Sequence, residues 1–279
     1  MNMKFSLPVF AIATILFSCP ILKASTTSPS PQSFEQWCQQ KDSLPIETKK
    51  TVEVLLKKSG AENCKSANLK LNSLEELDLS NNQISDIKPL ANLTNLTDLN
   101  LSGNEIKDVK PLAGLINLTG LNLYVNQIRS IKSLASLTSL THLSLVGNQI
   151  SDLQPLEGLT NLAFIDLSNN QVSYIRPLSN LTNLTTLDLA SNQIRDIKPL
   201  IGLTNLIVLN LRFNQIRDIK SLTGLTNLTT LDLHGNQIRD IKPLASLTNL
   251  DSLNLQGNPI SKSEKICPVK SCIFDFYFD

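Results

Sequence analysis

From Leu74 to Ile260, apolar and polar positions recur in register every 22 residues, nine times, with no insertion or deletion. The copy running from Leu184 to Asn205 shows the pattern most plainly. Two periods coexist inside each copy. Before a marker asparagine (Asn192 here), Leu187 and Leu189 alternate with polar residues, which predicts a short strand with one buried face. After it, Ile194, Ile197, Leu200, Leu203 and Leu206 recur every three residues. That is the spacing of 3₁₀ turns, where side chains at i and i+3 eclipse, and not the 3.6 of an α-helix. Six copies also place proline seven residues past the marker (Pro89, Pro111, Pro155, Pro177, Pro199, Pro243), where it would break an α-helix interior. One strand and one set of tight turns per copy cannot bury its apolar face alone, so the copies must stack. The expected fold is an α/β solenoid, an arc with a parallel concave β-sheet and a 3₁₀ or irregular convex side.

The markers are Asn82, Asn104, Asn126, Asn148, Asn170, Asn192, Asn214, Asn236 and Asn258. Each falls between two inward-facing apolar positions. A buried amide survives only when hydrogen-bonded, and the turning backbone of its own and the neighbouring coil offers partners. The nine are therefore expected to form a structural ladder and not a binding site. Covers are expected at both ends, where the stack exposes an apolar cross-section. Ser33-Phe-Glu-Gln36 reads as a capping box opening a short helix. Ile46 to Lys58 reads as a second helix between Pro45 and Gly60. Leu69 and Leu71 fall on the repeat lattice, so this helical pair is expected to lead straight into coil one. The domain plan is thus a leader over 1–24, a flexible Ser/Thr/Pro-rich stretch over 25–32, a helical cap over 33–71, repeats over 72–262 and a C-terminal cap over 263–279. The aromatic-rich end from Cys272 to Asp279 would plug the last coil.

Residues 1–24 carry a basic start, an apolar run from Phe5 to Leu22 and small residues near Ala24, the make-up of a secretory signal too short and interrupted for a membrane anchor. The protein is expected to be exported, to the cell surface, periplasm or medium. Cys19 lies in a poor lipoprotein-processing context, since Phe17 is bulky and Pro20 follows at once. Without Lys4 and Lys23 of the leader, 23 cations face 24 carboxylates, a balance that calls for neither nucleic acid nor an anionic membrane. Four cysteines then remain, two before the repeats and two after. In an exported chain they suggest one disulfide per cap, Cys38–Cys64 and Cys267–Cys272.

The units Leu-Thr-Asn-Leu-Thr-x-Leu-x-Leu-x-x-Asn-Gln-Ile-x-Asp-Ile-x-Pro-Leu resemble the 22-residue leucine-rich repeats of bacterial internalins. The Phe34 to Cys38 segment (Phe-x-x-Trp-Cys) and Cys267-Pro268 resemble the caps of secreted cyanobacterial leucine-rich repeat proteins. The resemblance implies a leucine-rich repeat horseshoe that binds a partner through its concave sheet. It does not imply host invasion, because the wall-sorting signal and immunoglobulin-like segment of internalins have no counterpart in the sequence.

Nothing in the sequence points to catalysis, a cofactor or a metal. His142 and His234 lie four coils apart, ~19 Å at the strand spacing, too far to share an ion or a proton. Phosphate loops, nucleophile elbows and paired carboxylates are not found. Asp78, Asp166, Asp188 and Asp232 form a column four residues before the marker, with Asn100, Asn122, Asn210 and Asn254 at the same position. Such a column could hold calcium, but it reads better as a solvated polar stripe. Function is more legible where coils depart from their small polar pattern. Tyr124 and Phe164 should point outward on the concave side, with Val146 and His142 beside them. Phe213 should stand on the rim with Val208, Arg212 and His234 around it, and Tyr174 on the flank. Exposed aromatics and arginine in a polar setting suggest interface hot spots. The partner is expected to be a protein bound by a monomer; the alternatives are a glycan stacked on Tyr124 and Phe164, or a passive structural role in the envelope.

Overall fold

The computed structural model describes residues 32–261 and 272–273. The leader, Cys19, Cys267 and most of the C-terminal cap lie outside the described residues. Each coil contributes one three-residue strand, from β1 (Glu76–Asp78) to β9 (Ser252–Asn254), and every strand pairs in parallel with the next at a register of one repeat, as in Leu121 opposite Leu143. A short strand, β10 (Cys272–Ile273), pairs with β9 and makes the sheet ten-stranded. Part of the expected plug is therefore an added strand that covers the open edge of coil nine. Cys272 is disulfide-bonded, with its partner outside the described residues.

The three-residue apolar spacing produces the turns it predicts. Leu200, Leu203 and Leu206 donate their N–H groups to the carbonyls of Ile197, Leu200 and Leu203 at 3.0, 3.0 and 3.1 Å, a chain of i→i+3 bonds. All five apolar positions of this coil are buried, and together with those of the other coils they form one continuous core. Proline occupies the second residue of the turn in six coils. Coil seven has Ser221 there instead, buried, with its hydroxyl unpaired among the described residues. Ser221→Pro is expected to stabilise by about 0.4–1 kcal/mol, because the sister coils show that the backbone accepts proline after a basic residue. A urea midpoint no higher than wild type would contradict this.

The asparagine ladder forms, with one exception. Asn148 donates through Nδ2 to the carbonyls of Leu123, Leu145 and Val146 at 3.0, 3.0 and 3.3 Å, and its Oδ1 accepts from the Ile128 N–H at 3.0 Å. Two of these four bonds reach back into the preceding coil, so each amide clips one coil to the last. Asn104 through Asn258 are buried in the same way. Asn82 is only half-buried, and its side chain donates to the Ser80 carbonyl alone, because no repeat coil precedes it. A second set of asparagines, among them Asn117, Asn161, Asn183 and Asn205, bonds the carbonyl 23 residues earlier at 2.8–2.9 Å. These asparagines, each followed by leucine, are a second, outer ladder.

At the N-terminal end, Ser33 and Gln36 cap α1 (Phe34–Gln39) reciprocally, and α2 (Ile46–Ser59) stops at Gly60 in the left-handed conformation. The expected helical pair is a trio. Asn63 accepts from the Ser66 N–H and starts α3 (Cys64–Asn72). Leu69 and Leu71 are therefore helical and not a first strand, with Leu71 buried in the core and Leu69 exposed. The Cys38–Cys64 disulfide ties α1 to the start of α3. Thr48 donates to the Asp86 carboxylate at 2.6 Å and Thr51 to the Asp86 carbonyl at 2.7 Å, which seats α2 on coil one.

Candidate partner-binding face

Side chains six, four and two residues before each marker project from the concave sheet, while those five and three before it are buried. The strand therefore has a leading end, at minus six, and a trailing end, at minus two. The structure divides the sequence-predicted clusters along that direction. His142 and Phe164 stand at the leading end, with ring centroids 6.1 Å apart and planes at 21°. Phe164 is half-buried, where full exposure was expected, because His142 stacks against it. Tyr124 and Val146 stand at the trailing end, roughly 13 Å away at the rise of a strand. Val208 is likewise at the leading end and does not surround Phe213. Arg212, Phe213 and His234 do come together: the Phe213 and His234 rings meet edge to face at 4.7 Å, and the Arg212 guanidinium carbon lies 5.8 Å from the Phe213 ring centroid. Tyr174 is exposed on the flank, as expected.

The residue just before the marker has a left-handed backbone in every coil. Glycine fills it four times, as Gly103, Gly147, Gly235 and Gly257, and Asn81, Asn169 and Ser191 fill three more. The remaining two are Val125, at φ 48°, and Phe213, at φ 54°. A β-branched or bulky side chain is strained in that region by roughly 1 kcal/mol or more. Both side chains are nevertheless exposed, at 44% and 49%. Each lies over a glycine of the next coil. A Cβ on Gly235 would come within 2.6 Å of Phe213 Cδ1, and one on Gly147 within 3.2 Å of Val125 Cγ2. Sequence reading missed Val125, whose type is unremarkable; the signal was its alignment with glycine in four sister coils.

The family model for leucine-rich repeats (two copies) matches residues 72–114, 116–158, 160–202, 204–246 and 226–268. The chain belongs to the leucine-rich repeat family. Among solved structures, it is similar to an internalin C2 from Listeria monocytogenes, with 34% identity over 75% of this chain and 91% of that one at a TM-score of 0.68. It is also similar to a leucine-rich repeat protein of Leptospira interrogans, with 31% identity over 75% of this chain and 56% of that one, TM-score 0.69. A plant peptide hormone receptor solved in complex with RGF2 shares 27% identity over 68% of this chain and 33% of the receptor, TM-score 0.61. Comparison with curated proteins gives no match.

In these leucine-rich repeats the Asp/Asn column four residues before the marker is framework. Asp78, Asn100, Asn122, Asp166, Asp188, Asn210, Asp232 and Asn254 each accept the backbone N–H two residues on, at 2.8–3.2 Å. Such Asx turns shape the trailing end of the strand. Asp188 bears the strongest consequence. Burial in the sheet raises its carboxyl above the usual range, outweighing the bonds from Ala190 and Asn210. A folded-state value above the unfolded one means that the native state loses stability as pH rises through that window. Asp188→Asn keeps the acceptor and removes the charge, so its melting temperature should exceed wild type at neutral pH. The two should converge below the ordinary carboxylate range, and a gap that persists there would contradict the assignment.

Proposed function

We propose that this chain is an exported, non-catalytic binding module that holds a protein partner on its concave face and along the trailing edge of that face. The observation that carries this reading is the pair Val125 and Phe213. Two coils in nine place an exposed apolar side chain where the backbone disfavours it, and strain of that kind is retained where function requires it. Around them Tyr124, Val146, Arg212 and His234 supply aromatic, apolar and cationic groups of the kind that dominate interface energetics. The N-terminal disulfide fits an oxidising compartment and so agrees with export. The glycan alternative loses one of its two platforms, because His142 already covers a face of Phe164.

Phe213→Gly separates stability from binding. It relieves the left-handed backbone, so the melting temperature should hold or rise. Capture of the partner from the source organism's envelope or medium should weaken by ~2 kcal/mol, about thirtyfold. Capture equal to wild type would sink the trailing-edge assignment. Protease treatment of the captured material is expected to abolish binding; binding that persists would favour a glycan.

A further inference from the structure

The concave face is not uniform in charge. Its three outward columns carry the carboxylates Glu76, Asp78, Asp98, Asp166, Asp188 and Asp232 against one guanidinium, Arg212. On the turn side, three and six residues past the marker, twelve lysines and arginines face six aspartates at position four. A formal net charge of +1 therefore conceals an acidic concave face and a basic convex flank. Acidic and apolar features coincide over coils one to five, where the sheet holds a hollow of about 390 Å³.

Its floor is Gly120, which leaves the leading column without a side chain. A Cβ built there would collide with the Asp98 carboxylate, so that group leans across the glycine. Glu76 stands one strand further on, ~4.8 Å away. Neither carboxylate makes a hydrogen bond or ion pair among the described residues, and both are exposed. Asp78, at the same end, is held ionised by the Ser80 N–H. The opposite wall is the stacked pair His142 and Phe164. Two neighbouring carboxylates suit the planar fork of a guanidinium, and an aromatic wall suits its flat face.

We propose that this hollow receives an arginine side chain from an extended basic segment of the protein partner, its guanidinium placed over Gly120 between the Asp98 carboxylate on one side and His142 and Phe164 on the other, with Glu76 adding its charge from one strand beyond Asp98. This rests on the concave-face reading above and names the chemistry of what that face selects. It also separates two tasks. The trailing edge supplies apolar contact, and the leading end of coils one to five reads charge and shape.

The test uses the full chain and fluorescein-labelled peptides in which serine alternates with arginine, lysine or glutamate, followed by anisotropy at low and moderate salt. The arginine peptide should bind at least about tenfold tighter than the glutamate peptide and a few-fold tighter than the lysine peptide, weakening with salt. Glu76→Gln with Asp98→Asn should cut arginine binding about tenfold. Gly120→Thr, which copies Thr186 and Thr230 at the equivalent strand position, should fill the hollow and do the same without lowering the melting temperature. Asp152→Asn with Asp218→Asn, on the convex flank, should leave binding unchanged. Equal binding of the arginine and glutamate peptides overturns the proposal, as does indifference to the Glu76/Asp98 pair. Lysine binding equal to arginine overturns the choice of arginine. If the arginine peptide fails while Phe213→Gly still weakens capture of the native partner, the hollow is misassigned and the concave-face reading stands. If the peptide binds as expected and Phe213→Gly leaves capture intact, the trailing edge is wrong and the hollow stands.

Discussion

Asn148→Ala is expected to destabilise the solenoid by roughly 3 kcal/mol, the upper end of the range for a buried group left unpaired. Its amide satisfies three carbonyls and one N–H across two coils, and the residue is buried. Two comparisons in the same chain isolate the cause. Ser144→Ala, four residues earlier, should shift the midpoint by less than about 0.5 kcal/mol, since it alters a half-exposed hydroxyl. Asn82→Ala removes the same residue type at the same repeat position, yet Asn82 is half-buried and spans no pair of repeat coils. Its cost should be well under half that of Asn148→Ala. If the three variants share one urea midpoint, the ladder is not what holds the coils in register.

Cys38→Ala with Cys64→Ala should loosen the N-terminal cap by about 3 kcal/mol. The bridge closes a loop with a sequence separation of 26, and the chain-entropy account gives that magnitude for a loop of this size. In a solenoid the loss should be local, because each coil touches only its neighbours. Phe34, Val52, Leu55 and Leu71 cover the apolar face of coil one, so amide exchange should accelerate first in α1 to α3 and in the strand of coil one. The strands of coils six to eight should be unaffected. Protection unchanged in the cap would show that packing and the Thr48 and Thr51 bonds to Asp86 hold it without the bridge.

Much of the framework follows from the order of residues alone. A three-residue apolar period allows 3₁₀ turns and excludes a helix, and two alternating leucines before the marker allow one strand, so the solenoid is written in spacing. The marker asparagines are legible because an amide between two buried positions must find partners. Other polar residues carry no such mark. The column containing Asp188 looked like a solvated stripe, and nothing in the order of residues assigns partners to the asparagines at 117, 161, 183 and 205. Their partners lie two residues ahead in one case and 23 behind in the other, and only the stacked coils bring those groups together. The same holds for the clusters. Distance along a strand separates Phe164 from Tyr124, and Val208 from Phe213, although all four project from the concave side or its rim. The left-handed turn is the clearest case. Valine and phenylalanine by themselves favour negative φ, so neither Val125 nor Phe213 announces its backbone. The neighbouring coils impose that conformation through the pairing of strands and the asparagine rungs, and local preference gives way because the packing of the whole coil outweighs the strain at one residue.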